Sequence, residues 1–190
     1  MGNLISICTK DDIDDLVVFF DHHWASNHVF SRRRDVLDWQ HLGEDKYHYD
    51  FVISRSRAGS INGILGFIPT DRFSPSLRGK KRTIWQTTWM VLRSDETKGL
   101  GVQMLRYLLD SRAHSWTGTC GLNHGTRKIY ERMGYTTGEI HQWYMFNPEL
   151  QSRKLAVTPT RIPSVSVSSG ADFQIIEAID FLSATDGFDL

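Results

Sequence analysis

The sequence predicts an α/β fold of the α+β kind: a mixed, mostly antiparallel central sheet flanked by helices. Three observations predict it. Two strand-like runs, residues 49–54 and 63–69, are joined by the small, polar, glycine-containing stretch SRSRAGSING, which has the composition of a hairpin turn and favours antiparallel pairing. Residues 83–93 are apolar, β-branched and aromatic. They enter a short polar turn holding Gly99 and Gly101, then pass directly into a helical period carried by Val102, Leu105, Leu108 and Leu109. The chain has 190 residues, 40% hydrophobic and 12% aromatic, enough for one domain with a real core and short for two.

Taken in order, residues 4–8 form a short apolar strand. The start MGNLIS also fits the loose myristoylation pattern, but a first strand accounts for it, and no basic region precedes a long apolar run, so no signal peptide is expected. Asp11 or Asp12 can cap a helix whose apolar face is Leu16, Val17, Phe19, Phe20 and Trp24. Residues 22–41, rich in His, Arg and Trp, hold a loop and a second helix from about residue 31 to 41. After the hairpin, residues 70–82 are a basic loop containing Pro and Gly. The central strand (83–93) and its helix (102–113) follow, then a short strand (117–122). A helix over 124–133 ends at Gly134, a C′ glycine. Residues 136–146 make one or two final strands. These elements define a domain over residues 1–150. Beyond it, VTPTRIPSVSVSSG reads as a linker-like arm, and residues 171–190 carry an apolar patch in an acidic frame. Residues 151–190 are thus an arm and tail that either pack back on the domain or begin a further module.

Charge and cysteine content exclude several classes. Lys plus Arg and Asp plus Glu both number 22, so nothing favours nucleic acid or an anionic membrane as partner. No apolar run approaches the roughly 18 residues that span a bilayer. Cys8 and Cys120 are too few and too far apart for a disulfide framework. The eight His residues show no HExxH or Cys/His spacing, so no metal site is expected. A cytoplasmic protein fits these features.

The chemistry concentrates at the strand–turn–helix stretch. The turn reads Glu96-Thr97-Lys98-Gly99-Leu100-Gly101. Glycines let a phosphate approach the backbone, and Lys98, Gly99, Leu100, Gly101 and Val102 can present successive N–H donors at a helix start. A second segment, Asn123-His-Gly-Thr-Arg-Lys-Ile-Tyr130, continues to Gly134-Tyr135. By themselves these residues permit blander roles: a tight turn for the glycines, a helix cap for Asn123, a half-buried packing tyrosine for Tyr130.

Together the two segments, in this order and about 20 residues apart, resemble motif A and the N-x-x-A-x-x-x-Y-x-x-x-G-[F/Y] signature of the GCN5-related N-acetyltransferases. The resemblance covers roughly residues 3–147. It departs at Glu96, where the family places Gln or Arg, and at Thr126, where it places Ala. It implies that acetyl-CoA is the co-substrate and that the central strand splays from its neighbour to admit the pantetheine arm. Val91 and Leu92 would lie against the arm, with the thioester near Trp89 and Met90. The turn residues from Lys98 to Val102 would hold the pyrophosphate, and Asn123 would complete the cofactor site. Tyr130 takes the position of the tyrosine that serves the leaving thiolate. The acceptor, a small-molecule amine, would be walled by the early helices, pointing to His28, Trp39 and His41 and, less distinctively, to the Arg32–Arg33–Arg34 run. By residue type alone His28, His41 and His141 are candidates for the general base. The HHW…WQH and ILGFIPT stretches also resemble acetyltransferase-like proteins of bacterial surface-polysaccharide clusters, which implies an amino-sugar nucleotide as acceptor; a homodimer is left open. The alternatives are a relative that has lost catalysis and serves as a binding or regulatory domain, and one copy of a doubled-domain transferase.

Overall fold

In the computed structural model, residues 3–139 are described. The final strands expected beyond Glu139, His141, and the arm and tail lie outside them, and residues 136–139 form no strand. Five strands, β1 (Leu4–Thr9), β2 (His48–Arg55), β3 (Ile61–Pro69), β4 (Thr83–Val91) and β5 (Trp116–Thr119), form one sheet in the order β1-β2-β3-β4-β5. The first three pairings are antiparallel and β4–β5 is parallel, as a strand–helix–strand connection requires.

Helices cover both faces. On one side lie α1 (Ile13–Phe19), α2 (Val29–Arg32) and α3 (Arg34–His41), where Leu16, Phe19, Phe20, Phe30 and Leu37 pack on Phe51, Ile53 and Ile64. On the other side α4 (Leu100–Ser111) and α5 (His124–Arg132) bring Leu100, Met104, Leu105, Leu108 and Tyr130 onto Val52, Leu65, Phe67 and Ile84. The alternation of β2 supplies both cores: Phe51 and Ile53 face one, Val52 the other.

Two helices differ from expectation. The first ends at Phe19 and opens into a wide turn over Phe20–Trp24, closed by the Ala25 N–H bonding to the Phe20 carbonyl at 3.0 Å. That widening keeps Phe20 in the core and leaves Trp24 40% exposed. The cap is also different. The Asp12 carboxylate reaches back to the N–H and hydroxyl of Thr9, both at 2.8 Å, rather than forward into the helix. The second helix divides at Arg33, whose extended backbone (φ −128°) separates α2 from α3 while its guanidinium pairs with Asp35 on the surface.

α5 ends as expected. Gly134 sits at φ +86°, its N–H bonds Glu131 O and the Tyr135 N–H bonds Tyr130 O, a Schellman closure at C′ glycine.

Candidate active site

The turn between β4 and α4 is built by its own side chains. Thr97 is buried. Its hydroxyl donates to the Leu92 carbonyl at 2.6 Å and accepts the Ser94 N–H at 2.9 Å, which folds residues 94–97 into one tight turn. Gly99 then takes φ +76°, a left-handed conformation suited to glycine, and caps α4. The first turn of α4, from Leu100 to Val102, has N–H groups with no acceptor inside the helix. These groups, at the positive end of a 12-residue helix, border an open cleft of about 660 Å³ lined by Val91, Arg93, Ser94, Asp95, Thr97, Lys98 and Gly101. A Cβ on Gly101 would stand 3.1 Å from the Trp89 indole, so glycine permits the close packing of helix start on strand. Lys98 is exposed and pairs with Asp95 at 2.8 Å. Glu96 is also exposed.

β4 carries a bulge. Leu65 pairs with Trp89 but Phe67 with Gln86, so Gly66 alone faces Thr87 and Thr88. The hydroxyl oxygens of both threonines are buried without a partner among the described residues, and a Cβ on Gly66 would meet them at 2.5 and 2.7 Å. Among the described residues β4 has a neighbour on one side only beyond the bulge, since β5 pairs it from Thr83 to Gln86 and no further. The Leu92 N–H bonds the Asn62 carbonyl at 2.8 Å and its own carbonyl is taken by Thr97, so its backbone is satisfied on the β3 side. By alternation the backbone groups of Val91 and Trp89 face the other way, toward the unpaired edge. Of the two arm-contacting candidates, the geometry therefore keeps Val91 at the edge and turns Leu92 away.

At the root of that edge sits Tyr130. Its side chain is 3% exposed, its ring packs edge-on against Trp89 and Tyr135, and its hydroxyl donates to Gln86 Oε1. Gln86 Nε2 in turn donates to the Thr117 hydroxyl at 2.9 Å, and that hydroxyl donates to Ile84 O at 2.8 Å. The chain Tyr130–Gln86–Thr117 ties α5, β4 and β5 together at the end of the β4–β5 pairing. Burial, with the Tyr135 phenol adding, pushes the Tyr130 phenol well above its ordinary range, so it stays protonated. Asn123 caps α5: its Oδ1 accepts the Thr126 N–H at 2.9 Å and the Thr126 hydroxyl at 3.0 Å. The Thr126 that replaces the expected Ala thus completes the cap.

The expected acceptor residues do not converge. His28 caps α2, its Nδ1 accepting the Phe30 N–H at 3.2 Å, and its ring stacks on Phe20 at 4.9 Å. Because Nδ1 is an acceptor, the neutral ring carries its proton on Nε2. Partial burial lowers the His28 pKa and favours that neutral form. His41 corrects the sequence reading. It is fully buried between Phe30 and Phe51, ring centroids 5.3 and 4.3 Å away, so it cannot touch an acceptor arriving from solvent. Burial, reinforced by the Arg72 charge, pushes its imidazole down to about 3. The carbonyls of Phe67 and Asp50 oppose this without closing a hydrogen bond to either ring nitrogen. Trp39 is exposed and tilts against Phe73 at 5.9 Å. Of the arginine run, Arg33 and Arg34 are held in surface pairs with Asp35 and Asp38. Across the β4–β5 pairing the structure adds an exposed aromatic pair, Trp85 and Trp116, at 5.5 Å; the sequence held no signal for it, because the two residues meet only through that pairing.

No family model and no curated protein sequence matches the chain. Solved structures do. A Trypanosoma brucei acetyltransferase aligns with a TM-score of 0.55 at 12% identity, over 76% of this chain and 100% of that one. AAC(6')-Iy, solved with the bisubstrate analog CoA-S-monomethyl-acetylneamine, aligns at 0.56 and 13%, over 77% and 99%. Glucosamine-6-phosphate N-acetyltransferase from Arabidopsis thaliana aligns at 0.52 and 15%, over 77% and 100%. The sheet, its flanking helices and the β4–turn–α4 unit thus share the fold of the GCN5-related acetyltransferases.

Proposed function

We propose that the chain is an acyl-CoA-dependent N-acyltransferase that moves an acetyl group from acetyl-CoA to a primary amine of a small molecule. One observation carries the reading: the unpaired edge of β4 leads straight into the glycine turn and the free N–H groups of α4, beside an open cleft of about 660 Å³. A pyrophosphate suits the helix start. A chain of amides suits the open strand edge at Val91 and Trp89. In the transfer, the amine nitrogen attacks the thioester carbon, the C–S bond breaks with its electron pair leaving on sulfur, and the amine proton passes to a base. The bulge at Thr87 and Thr88 is where partnerless polar groups lie nearest the end of the strand pairing.

Tyr130 is proposed as donor to the leaving thiolate only if its phenol turns away from Gln86. The amino-sugar nucleotide acceptor, a cytoplasmic location and a homodimer belong to the same proposal. Trp39, or the Trp85–Trp116 pair, suits the face of a sugar ring. No helix among the described residues is long and apolar enough to cross a membrane. A second reading, a CoA-binding domain without transferase activity, is favoured by the Tyr130 hydroxyl being committed to Gln86.

Calorimetry with acetyl-CoA tests the first claim, with Gly101→Asp as the variant that places both bulk and negative charge at the helix start. Absence of saturable binding to the wild type ends both readings. Binding without thiol release over a panel of amines supports the second.

A further inference from the structure

At the other end of the sheet lies a cavity of about 530 Å³ that the proposed reaction does not use. Ile84, at the start of β4, forms part of its floor with Phe67, whereas Val91 borders the cleft by the turn. Seven residues of strand separate the two, about 20 Å. The cavity walls come from the loop after α3, from β2, from residues 69–82 and from Arg112 just past α4.

Its charges are unevenly paired. Asp50, 7% exposed at its side chain, is held by Arg72, and Asp71, 10% exposed, is held by Arg82 through Nε at 2.7 Å and through Nη2. Arg78 pairs with Glu44 and His48 with Asp45 on the exposed rim. Arg112 has no such partner. Among the described residues its side chain makes no hydrogen bond or ion pair, and its guanidinium carbon lies over the Phe67 ring, 5.8 Å from the centroid. Its Nε and that of Arg72 are buried with nothing to receive them. The interior of the cavity therefore holds three guanidiniums against two carboxylates, with two charged N–H donors unspent. A guanidinium placed over an aromatic face gains from the ring without spending its N–H donors, which stay free to read a planar or tetrahedral oxyanion.

We propose that this cavity binds one small oxyanion, a carboxylate or a phosphate, on Arg112, with Arg72 and Arg82 framing it and Phe67 and Ile84 closing the floor. The ion pairs to Asp50 and Asp71 hold the framing arginines in place before the ligand arrives. The site is separate from the β4–α4 turn and does not depend on acyl-CoA binding.

The test is calorimetry and thermal shift on the full chain with inorganic phosphate and, separately, with acetate, chloride keeping the ionic strength constant. Saturable binding with Kd of the order of 1 mM is expected for at least one anion. Which anion binds tells the phosphate source from the carboxylate one. Arg112→Gln should abolish binding. Arg112→Lys, which keeps the charge but loses the fork, should weaken it roughly tenfold. Gly101→Asp should leave it unchanged. Failure of both anions to bind overturns the site. So does undiminished binding to Arg112→Gln, or loss of binding in Gly101→Asp, which would place the anion at the turn. If Arg112→Gln does not fold, the wild type decides. The arginine Nε–H resonances must move saturably with anion, and their constancy overturns the proposal.

Discussion

Replacing Tyr130 with Phe separates a structural seam from a chemical role. The phenol donates to Gln86 Oε1 in a buried setting, and Gln86 is itself only 4% exposed. Removing the hydroxyl keeps the ring contacts with Trp89 and Tyr135 at 5.6 and 5.1 Å but leaves the amide oxygen without its donor. A buried acceptor stripped of its partner costs about 1–3 kcal/mol. Spread over the roughly 140 residues of the domain, that is a fall in Tm of about 3–10 °C. The assay is thermal unfolding with and without acetyl-CoA, paired with thiol release. A double-mutant cycle with Gln86→Leu should return a coupling of about 0.5–3 kcal/mol, because the two side chains share one bond. If Tyr130→Phe leaves Tm untouched while turnover drops about a hundredfold (about 2.7 kcal/mol of barrier), the reasoning fails, and the hydroxyl belongs to the reaction. If Tm falls and turnover per folded molecule is unchanged, the phenol serves only to fasten α5 to the strands.

Three further outcomes follow from the same geometry. Gly66→Ala places a Cβ 2.5 Å from the Thr87 hydroxyl and 2.8 Å from Phe51, an overpacking worth about 1–3 kcal/mol by urea unfolding. Thr97→Val removes the hydroxyl that ties Leu92 to Ser94; stability should drop by about 1–2 kcal/mol and acetyl-CoA affinity with it, as calorimetry reads. His41 makes the fold acid-labile. Its folded pKa of about 3 lies below the unfolded value of 6.5, so the unfolded chain binds the extra proton between those values and stability falls as pH drops through that window. From pH 7 to pH 5 this amounts to about 2 kcal/mol, and His41→Leu should flatten the urea midpoint over that range.

The first four strands, the hairpin and the two later helices were legible because periodicity and turn chemistry are local, and each lies within two residues of its expected place, whereas β5 ends three residues early at Thr119. The wide turn at Phe20–Trp24 was not, since the apolar spacing of Phe20 and Trp24 fits an unbroken helix equally well. The turn's glycines could be read from the sequence, while Thr97, which holds the turn shut, looked like one polar residue among several. Gln86, Thr87 and Thr88 read as ordinary strand residues, because the bulge exists only in register against Gly66. His41 shows the opposite error. A histidine at the end of a polar helix looks accessible, and only the packing of α3 on β2 and β3 buries it.

Among the described residues the sheet order follows the chain order, so none of these five strands has to be inserted between two that are already paired. β2 and β3 can zip first through a five-residue turn, and β1 and β4 can add at their flanks. β5 comes last, because its parallel partner is reached only after α4 has packed. Its register covers four residue pairs. The β4–β5 seam is thus the least cooperative joint of the sheet, and its amides should exchange with solvent well before those of β2 and β3. A ligand that lies along β4 would act as a missing strand, lending the last-formed joint the protection that the polypeptide itself supplies elsewhere.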